Sequence, residues 1–261
     1  MRVTVLGCGG SAGVPHIGGL DGRGDLGACD PAEPRNRRTR SSLCLEDGQG
    51  FRLLVDTGPD MREQLIACGV PGVDAILYTH GHADHVTGID DVRILNRIAG
   101  RPISAYATKR TLDELIRRFD YAFKPWKPPG FYRPVMVPQP VAFGDRVQFG
   151  AMELNLFEQD HGVLETIGFR VGAFGYSTDV VRLDEAAFAT LAGVDTWLVD
   201  CFQRQPHTTH AHFSRVIEWV ARVGARRTIL THMGQDMDWA WMVANLPPGV
   251  EPAVDGMVLE F

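Results

Sequence analysis

The amino-acid sequence predicts an α/β fold, and three observations indicate this class. Short runs of β-branched and other apolar residues alternate with segments whose apolar residues recur at intervals of three and four positions. The chain of 261 residues has a hydrophobic content of 44%, which is enough for one large core. Its 29 glycines and 16 prolines supply the many turns that such an alternation requires. We therefore expect a single domain that includes residues 1–261.

Strands are predicted where β-branched and aromatic residues form short runs bounded by turn residues. In chain order these are residues 2–6, 42–45, 52–56, 75–79, 103–107, 147–157, 167–171, 174–178, 196–200, 228–231 and 257–261. Helices are predicted at residues 60–68, 111–119, 184–191 and 212–223, where the apolar spacing is three or four. This order of elements is typical of two sheets between helices, but periodicity alone does not distinguish that arrangement from other α/β layouts.

Composition argues against several classes of protein. The formal net charge of −6 disfavours a broad surface for long nucleic acids, which bind through many Lys and Arg contacts to phosphate. No apolar stretch is long enough to span a bilayer, and the chain begins with a strand-like run, so we expect a cytoplasmic protein with no membrane partner. Five widely spaced cysteines without a Cys-x-x-Cys pair predict free thiols, and they are Cys8, Cys29, Cys44, Cys68 and Cys201.

The most informative segment is His80-Gly81-His82-Ala83-Asp84-His85, which directly follows an apolar run at residues 75–78. Imidazole and carboxylate ligands suit zinc, manganese or iron, and these four side chains are more than one ion usually takes from so short a segment. We therefore expect a two-metal centre. The alternative is a polar loop whose histidines only make hydrogen bonds, but three of the nine histidines together with an aspartate disfavour it.

Three more candidate ligands each follow a predicted strand. His161 comes after an alternating segment that begins at residue 152, Asp179 follows residues 174–178, and His232 follows residues 228–231. A strand end holds a ligand rigidly, which metal coordination requires. Taken singly, each residue would more often be an ordinary loop residue; in this order after the first motif, they support one shared site.

Together these residues resemble the pattern of the metallo-β-lactamase superfamily of metal-dependent hydrolases. The resemblance implies a four-layer αββα sandwich. It also implies two sets of ligands that are bridged by Asp179. One metal would be held by His80, His82 and His161, and the other by Asp84, His85 and His232.

A further histidine, His210, lies 22 residues before His232, and the interval contains one predicted helix and one predicted strand. The phosphodiesterase branches of the superfamily, ribonuclease Z among them, place a histidine similarly, and there it contacts the scissile phosphate. Imidazole is well matched to proton transfer near pH 7. We therefore expect His210 to be catalytic. Asp84 is the second catalytic candidate, because it could accept a hydrogen bond from the nucleophile as well as bind metal.

Three other polar residues are predicted to support the site rather than to react. Asp56 closes a predicted strand and is expected to brace the loop after His80. For His207 and His212 we favour helix capping or a hydrogen bond to a ligand over a catalytic role.

The closer resemblance is to the phosphoribosyl 1,2-cyclic phosphate phosphodiesterases of the carbon–phosphorus lyase pathway. It rests on the motifs at residues 5–15, 54–58, 246–250 and 255–257. It implies hydrolysis of a small anionic substrate, either phosphoribosyl 1,2-cyclic phosphate or a nucleoside 2′,3′-cyclic phosphate, by a hydroxide that two divalent ions activate. Manganese or zinc is expected, with iron as a further choice, and relatives favour a homodimer.

The chain departs from that family at a structural zinc site. Members bind this zinc through a Cys-x-Cys-x-x-Cys cluster in the N-terminal loop and a histidine two residues beyond the last catalytic ligand. Here the loop at residues 18–30 contains only Cys29, and the position two beyond His232 is Gly234. We therefore expect no structural zinc. Its loss should change the geometry of the entrance loops, and hence the substrate, more than the hydrolytic chemistry.

Two loops are candidates for substrate contact. Residues 35–40 include four arginines, for which we favour a solvated turn over a phosphate contact. Residues 121–140 interleave aromatic residues and prolines, and they could stack a base or sugar or pack on their own core.

Three rival functions remain at this point. A ribonuclease Z-like tRNA-processing endonuclease would share His210, but the acidic balance and the lack of an obvious basic arm place it second. A thioester or lactam hydrolase would share the first motif without a reason for His210. A non-catalytic binding module would be expected to have lost ligands, and all seven are present.

Overall fold

Two seven-stranded sheets packed face to face form the centre of the computed structural model, which describes residues 1–261. The first sheet contains, in spatial order, β14 (Val258–Glu260), β1 (Arg2–Gly7), β2 (Ser42–Glu46), β3 (Arg52–Val55), β4 (Ala75–Leu77), β5 (Ile103–Thr108) and β6 (Met136–Val141). The second contains β13 (Val250–Pro252), β12 (Arg227–Thr231), β11 (Thr196–Asp200), β10 (Phe174–Ser177), β9 (Glu165–Val171), β8 (Met152–Asp160) and β7 (Arg146–Phe149).

Helices cover the outer faces of both sheets, so the predicted four-layer αββα sandwich is confirmed. The helices on the first sheet are α1 (Met61–Ala67), α3 (Val92–Ala99), α4 (Lys109–Arg118) and α5 (Asp120–Phe123). Those on the second sheet are α6 (Glu185–Leu191), α7 (Phe213–Val223) and α8 (Trp239–Asn245). The short helix α2 (Ala83–Val86) lies in the loop that carries the first motif. None of the helices has both the length and the apolar character that a membrane crossing requires.

The central strands are buried on both faces, as strands covered by a second sheet and by helices must be. The chain has two hydrophobic cores: the larger includes the space between the two sheets, and the smaller lies between the first sheet and its helices. In β3, Leu53 and Val55 belong to the larger core, while Leu54 belongs to the smaller one. The same alternation in β4 sends Leu77 into the larger core and Ile76 toward the helices. These near-continuous apolar runs are the reason that the sequence predicts the strands well.

The direction of the strands determines where polar residues can gather. Strands β3 to β6 run parallel in the first sheet, and strands β10 to β13 run parallel in the second. The carboxyl ends of neighbouring parallel strands meet at one edge of a sheet, which is where ligands bind in such sheets. Asp56 and His80 follow β3 and β4, while Asp179 and His232 follow β10 and β12.

Several boundaries differ from the prediction. The single strand expected at residues 147–157 is wrong, because the chain turns at Gly150 (φ 56°) and forms the hairpin of β7 and β8. Helix α3 was not predicted, although its sequence is amphipathic, with Val92 and Leu95 buried and Arg93 and Arg97 exposed on the opposite face. The strand β6 was missed because it contains Pro138 and Pro140, which an edge strand tolerates.

The two candidate loops contain more internal contacts than a solvated turn would have. In the segment at residues 121–140, the Trp126 and Phe131 rings stack with centroids 4.8 Å apart, whereas Tyr132 is exposed. In the arginine-rich segment, Arg38 is only 2% exposed and Arg40 pairs with Asp60 at 2.9 Å. The interpretation of residues 35–40 as a solvated turn is therefore wrong for these two arginines.

A close backbone approach at Gly88, just after α2, gives a test of the fold. A Cβ atom there would lie 2.2 Å from the carbonyl oxygen of Gly58, so Gly88→Ala must push the loop after β3 away from α2. We expect the free energy of unfolding to fall by about 1–3 kcal/mol, as in other overpacked sites. Urea denaturation measures it. Gly48→Ala is the control, because a Cβ atom there meets nothing within 4 Å; equal effects of the two variants would contradict the account.

Candidate metal centre

All seven predicted ligands come together where the carboxyl ends of the two parallel strand sets meet. They form two groups in which the ligand atoms lie within 4.8 Å of one another. The first ligand group is His80, His82, His161 and Asp179. The second ligand group is Asp84, His85, Asp179 and His232. This is the division that the resemblance implies, with Asp179 shared.

The Asp179 carboxylate lies between the imidazoles of the two groups. Its Oδ1 atom is 3.8 Å from His80 Nε2 and 3.7 Å from His161 Nε2. Its Oδ2 atom is 3.1 Å from His85 Nε2, while His232 Nε2 is 3.4 Å from Oδ1. A carboxylate surrounded in this way can bridge two cations.

Three of the inward-facing ring nitrogens show that the site fits metal ions. The Nε2 atoms of His80, His85 and His232 are buried and make no hydrogen bond of normal geometry, although those of His85 and His232 lie 3.1–3.6 Å from oxygens of Asp84 and Asp179. Buried polar atoms in proteins are nearly always paired, so three orphans in one cluster need an explanation. Divalent ions would satisfy all three, and a mixed imidazole and carboxylate donor set is one that zinc and manganese accept.

The opposite ring nitrogens are held by protein groups, which orient the imidazoles. His161 Nδ1 donates to the carbonyl oxygen of Thr209 at 2.7 Å, so its Nε2 carries the lone pair when the ring is neutral. His80 Nδ1 lies 3.0 Å from Thr79 Oγ1. Such hydrogen bonds fix the ring and the tautomer of a metal-binding histidine.

Asp56 braces the first motif from below. Its carboxylate is fully buried and accepts hydrogen bonds from the backbone N–H and the hydroxyl of Thr79, both at 2.8 Å. The same carboxylate lies 2.7 Å from His85 Nδ1. Asp56 therefore holds the residue before His80 and also orients His85, which is the supporting place that the sequence predicts.

Backbone strain is concentrated at this site. Asp56 (φ 65°), Asp179 (φ 51°) and His232 (φ 54°) are the non-glycine residues of the chain with positive φ. Left-handed backbone costs about 1–3 kcal/mol per residue and persists only where the surroundings enforce it. All three follow parallel strands; the turns at Asp179 and His232 direct their side chains into the ligand groups, and the turn at Asp56 directs its carboxylate to Thr79 and His85 Nδ1.

The two ligand groups differ in charge state when no metal is bound. Burial lowers the pKa values of His80, His82 and His161, so these imidazoles are neutral at pH 7. Burial also opposes protonation of His232, but the charges of nearby carboxylates, Asp179 first among them, raise its pKa to about 9. The pKa of His85 is raised for the same reason.

His210 lies beside the second ligand group and is paired with an aspartate that the sequence analysis did not single out. His210 Nδ1 is 3.0 Å from Oδ2 of the buried Asp200, and its ring stacks on His232 with centroids 4.7 Å apart. The Oδ1 atom of Asp200 is 3.8 Å from His232 Nδ1. Asp200 ends β11, between β10 and β12, so its place at the end of a parallel strand was the available signal.

Phe202 and His207 form the wall next to His210. The Phe202 ring centroid is 4.8 Å from that of His210 and 5.1 Å from that of His207. The Nδ1 atom of His207 accepts from the backbone N–H of Thr209 at 3.3 Å, so this ring supports its own loop. His212 occupies the N-cap position of α7, but its side chain makes no capping hydrogen bond.

Comparison with known proteins matches residues 51–233 to the family described as "Beta-lactamase superfamily domain". The solved structure of a "new diphosphatase from the PhnP family" is similar over 100% of this chain and 97% of that one. The two share 33% sequence identity, and the TM-score is 0.89.

Two curated relatives are similar over smaller shares of their own length. An octanoyltransferase of Porphyromonas gingivalis is 27% identical over 259 residues, which is 98% of this chain and 51% of that protein. A ribonuclease Z of Bradyrhizobium sp. is 31% identical over 140 residues, which is 52% of this chain and 45% of that protein. The chain thus spans about half the length of these curated relatives.

The difference in pKa predicts how the two groups load with metal. The neutral imidazoles of the first ligand group should bind an ion without releasing protons at pH 7. In the second group, His85 and His232 must each lose a proton, so about two protons should leave and the affinity should fall as the pH drops below their raised pKa values. Calorimetry in buffers of different ionisation enthalpy counts the protons. Equal proton release for both ions would contradict the assignment.

Proposed function

Because the chain belongs to the β-lactamase superfamily domain family, we propose that it is a phosphodiesterase that hydrolyses small cyclic phosphodiesters. Phosphoribosyl 1,2-cyclic phosphate and the nucleoside 2′,3′-cyclic phosphates are the proposed substrates. Family membership and the two ligand groups identify the chain as a metal-dependent hydrolase. The observation that carries the choice of phosphodiesters is the Asp200–His210 pair beside the second ligand group.

The seven residues of the two ligand groups would hold two divalent ions, manganese or zinc, with iron as a further choice. When bound, such ions lower the pKa of a water molecule and neutralise the charge of a phosphate. The protein contributes the fixed geometry. The left-handed turn at Asp179 and the hydrogen bonds of Asp56 hold the donors in place before any ion or substrate arrives.

His210 is the proposed proton donor to the leaving oxygen. Its Nδ1 is engaged by the Asp200 carboxylate, which leaves Nε2 free for the substrate. The Asp200 carboxylate is itself held by the Val180 N–H at 3.1 Å, so the pair keeps the His210 ring in one orientation. Asp84 is the other predicted catalytic residue. Its Oδ2 atom lies 3.2 Å from His85 Nε2 and 3.6 Å from His232 Nε2. From this position its carboxylate can also accept a hydrogen bond from the attacking oxygen.

A small diphosphate diester is the second candidate substrate. The solved PhnP-family relative is a diphosphatase, and it aligns over the whole of this chain. Cleavage of a phosphoanhydride needs the same charge neutralisation and the same proton at the leaving oxygen, although a phosphate leaves more easily than an alkoxide. The two candidates therefore differ in how strongly turnover should depend on His210.

The rival functions are less well supported. A ribonuclease Z of Mycobacterium marinum is 27% identical over 84% of this chain, so the argument against this rival is the net charge of −6, which disfavours a long polyanion such as tRNA. The similarity to an octanoyltransferase raises acyl transfer as another rival. Acyl transfer through a covalent intermediate would need an accessible nucleophile. Cys201 is next to Asp200 in the chain, but it is fully buried, and burial raises the pKa of its thiol. A cytoplasmic location and a homodimer stay predictions.

Substitution of His210 tests the proposed mechanism. We expect His210→Ala to keep the fold and the metal content but to lose a factor of about 10²–10⁴ in kcat for cyclic phosphodiesters, which is the usual contribution of general acid catalysis. His212→Ala is the matched control, because His212 lies two residues away at the N-cap position of α7 and its side chain makes no capping hydrogen bond. Unchanged turnover in His210→Ala would remove this histidine from the mechanism.

A substrate panel separates the candidates. The metal-loaded protein is assayed with both cyclic phosphates, bis(p-nitrophenyl) phosphate, a diphosphate diester, a tRNA precursor, a thioester and a β-lactam. We expect the cyclic phosphates to have the highest kcat/KM. Faster cleavage of the diphosphate, with a smaller effect of His210→Ala, would favour the second candidate. Thioester or lactam turnover without diesterase activity would contradict the proposal.

A further inference from the structure

Arg38 differs from the other arginines of its segment. Arg35 pairs with Glu33 and lies over the Trp239 ring at 4.3 Å, and its side chain is half exposed. Arg38, in contrast, is 2% exposed and has no ion pair with a carboxylate. Because a guanidinium stays protonated under all ordinary conditions, a full positive charge is buried here.

Three oxygen atoms converge on this charge. Arg38 Nη2 donates to the carbonyl oxygen of Met237 at 2.6 Å and to Asn36 Oδ1 at 3.1 Å. Arg38 Nη1 donates to the carbonyl oxygen of Gly234 at 3.3 Å, whereas its Nε atom is buried without a partner. A buried cation that is surrounded by neutral oxygens is costly, so the position calls for a structural or functional reason.

The Arg38 side chain lies beside Cys29 and Gly234, the two places where this sequence lacks the structural-zinc ligands described above. Cys29 donates its thiol to the carbonyl oxygen of Gln235 at 3.3 Å, so the loop that contains Cys29 lies against the segment that begins at Gly234. Burial raises the pKa of Cys29 while the neighbouring charge of Arg38 opposes that rise. The Arg38 guanidinium is thus a buried cation whose hydrogen bonds hold the N-terminal loop against residues 234–237.

The segment that Arg38 holds continues directly from a ligand. His232 has the left-handed φ of 54°, and the next residues are tied down on both sides. Met233 N–H donates to the carbonyl oxygen of Cys8 at 2.9 Å, and Gly234 N–H donates to the carbonyl oxygen of Phe202 at 2.8 Å. The hydrogen bond from Arg38 to Gly234 closes this set two residues after His232.

We propose that Arg38 is a positioning residue for the second ligand group, because its guanidinium fixes the turn after β12 that sets the strained backbone of His232. This inference rests on the proposed two-ion function. In this account the guanidinium of Arg38 holds the N-terminal loop and residues 234–237 together through its hydrogen bonds. Loss of that cation should loosen His232 and leave the first ligand group intact.

Metal titration of Arg38→Met tests the inference without a substrate. Native mass spectrometry and calorimetry with zinc should show two ions in the wild-type protein and in Arg37→Met, a control in which an exposed arginine is replaced. In Arg38→Met we expect the first ion to bind as in the wild type and the affinity for the second to fall about tenfold or more, as for other residues that orient ligands. Unchanged affinities, or equal loss of both ions, would overturn the inference.

A conservative variant covers the case in which Arg38→Met does not fold. Arg38→Lys keeps the charge but loses the planar fork, so it should fold and bind the second ion with an affinity between those of the wild type and Arg38→Met. Wild-type affinity for both ions in Arg38→Lys, with Arg38→Met unfolded, would overturn the positioning role. A wild-type protein that binds two ions but cleaves no phosphodiester would contradict the proposed function and leave this inference standing.

Discussion

The position of the Asp179 carboxylate between two sets of imidazoles is the constraint on which the site depends. His80, His82 and His85 come from the first sheet, whereas His161 and His232 come from the second, so the carboxylate can lie between them only if the sheets keep their spacing. The core between the sheets supplies that rigidity. The sandwich therefore serves chiefly to hold strand ends from two sheets within a few ångströms of each other.

Each sheet places an aspartate with left-handed backbone after the first strand of its parallel set. Asp56 follows β3 and Asp179 follows β10, each strand leads a parallel set, and both residues have left-handed backbone. One carboxylate orients a ligand from behind and the other faces the ions. Asp200 extends this arrangement, because one carboxylate lies near both His210 and His232 and so couples the proposed proton donor to a ligand.

The clustering of the seven candidate ligands could be predicted from the sequence because their pattern is local: a short motif or a single polar residue after an apolar strand. The supporting residues differ in this respect. Asp200 looks like any aspartate at a strand end until His210, ten residues later, folds back onto it. Arg38 looks like part of a charged turn, and its burial depends on residues 234–237, almost two hundred positions away. Long-range packing of this kind leaves little trace in local periodicity.

A crystal structure of the manganese-loaded protein, with anomalous scattering to locate the ions, tests the central claim most directly. We predict two anomalous peaks about 3.5–4 Å apart, the spacing of two-metal hydrolases, with the Asp179 carboxylate touching both. One peak should lie against His80, His82 and His161, and the other against Asp84, His85 and His232. A single peak, or two peaks that do not share Asp179, would contradict the two-ion centre and the mechanism built on it.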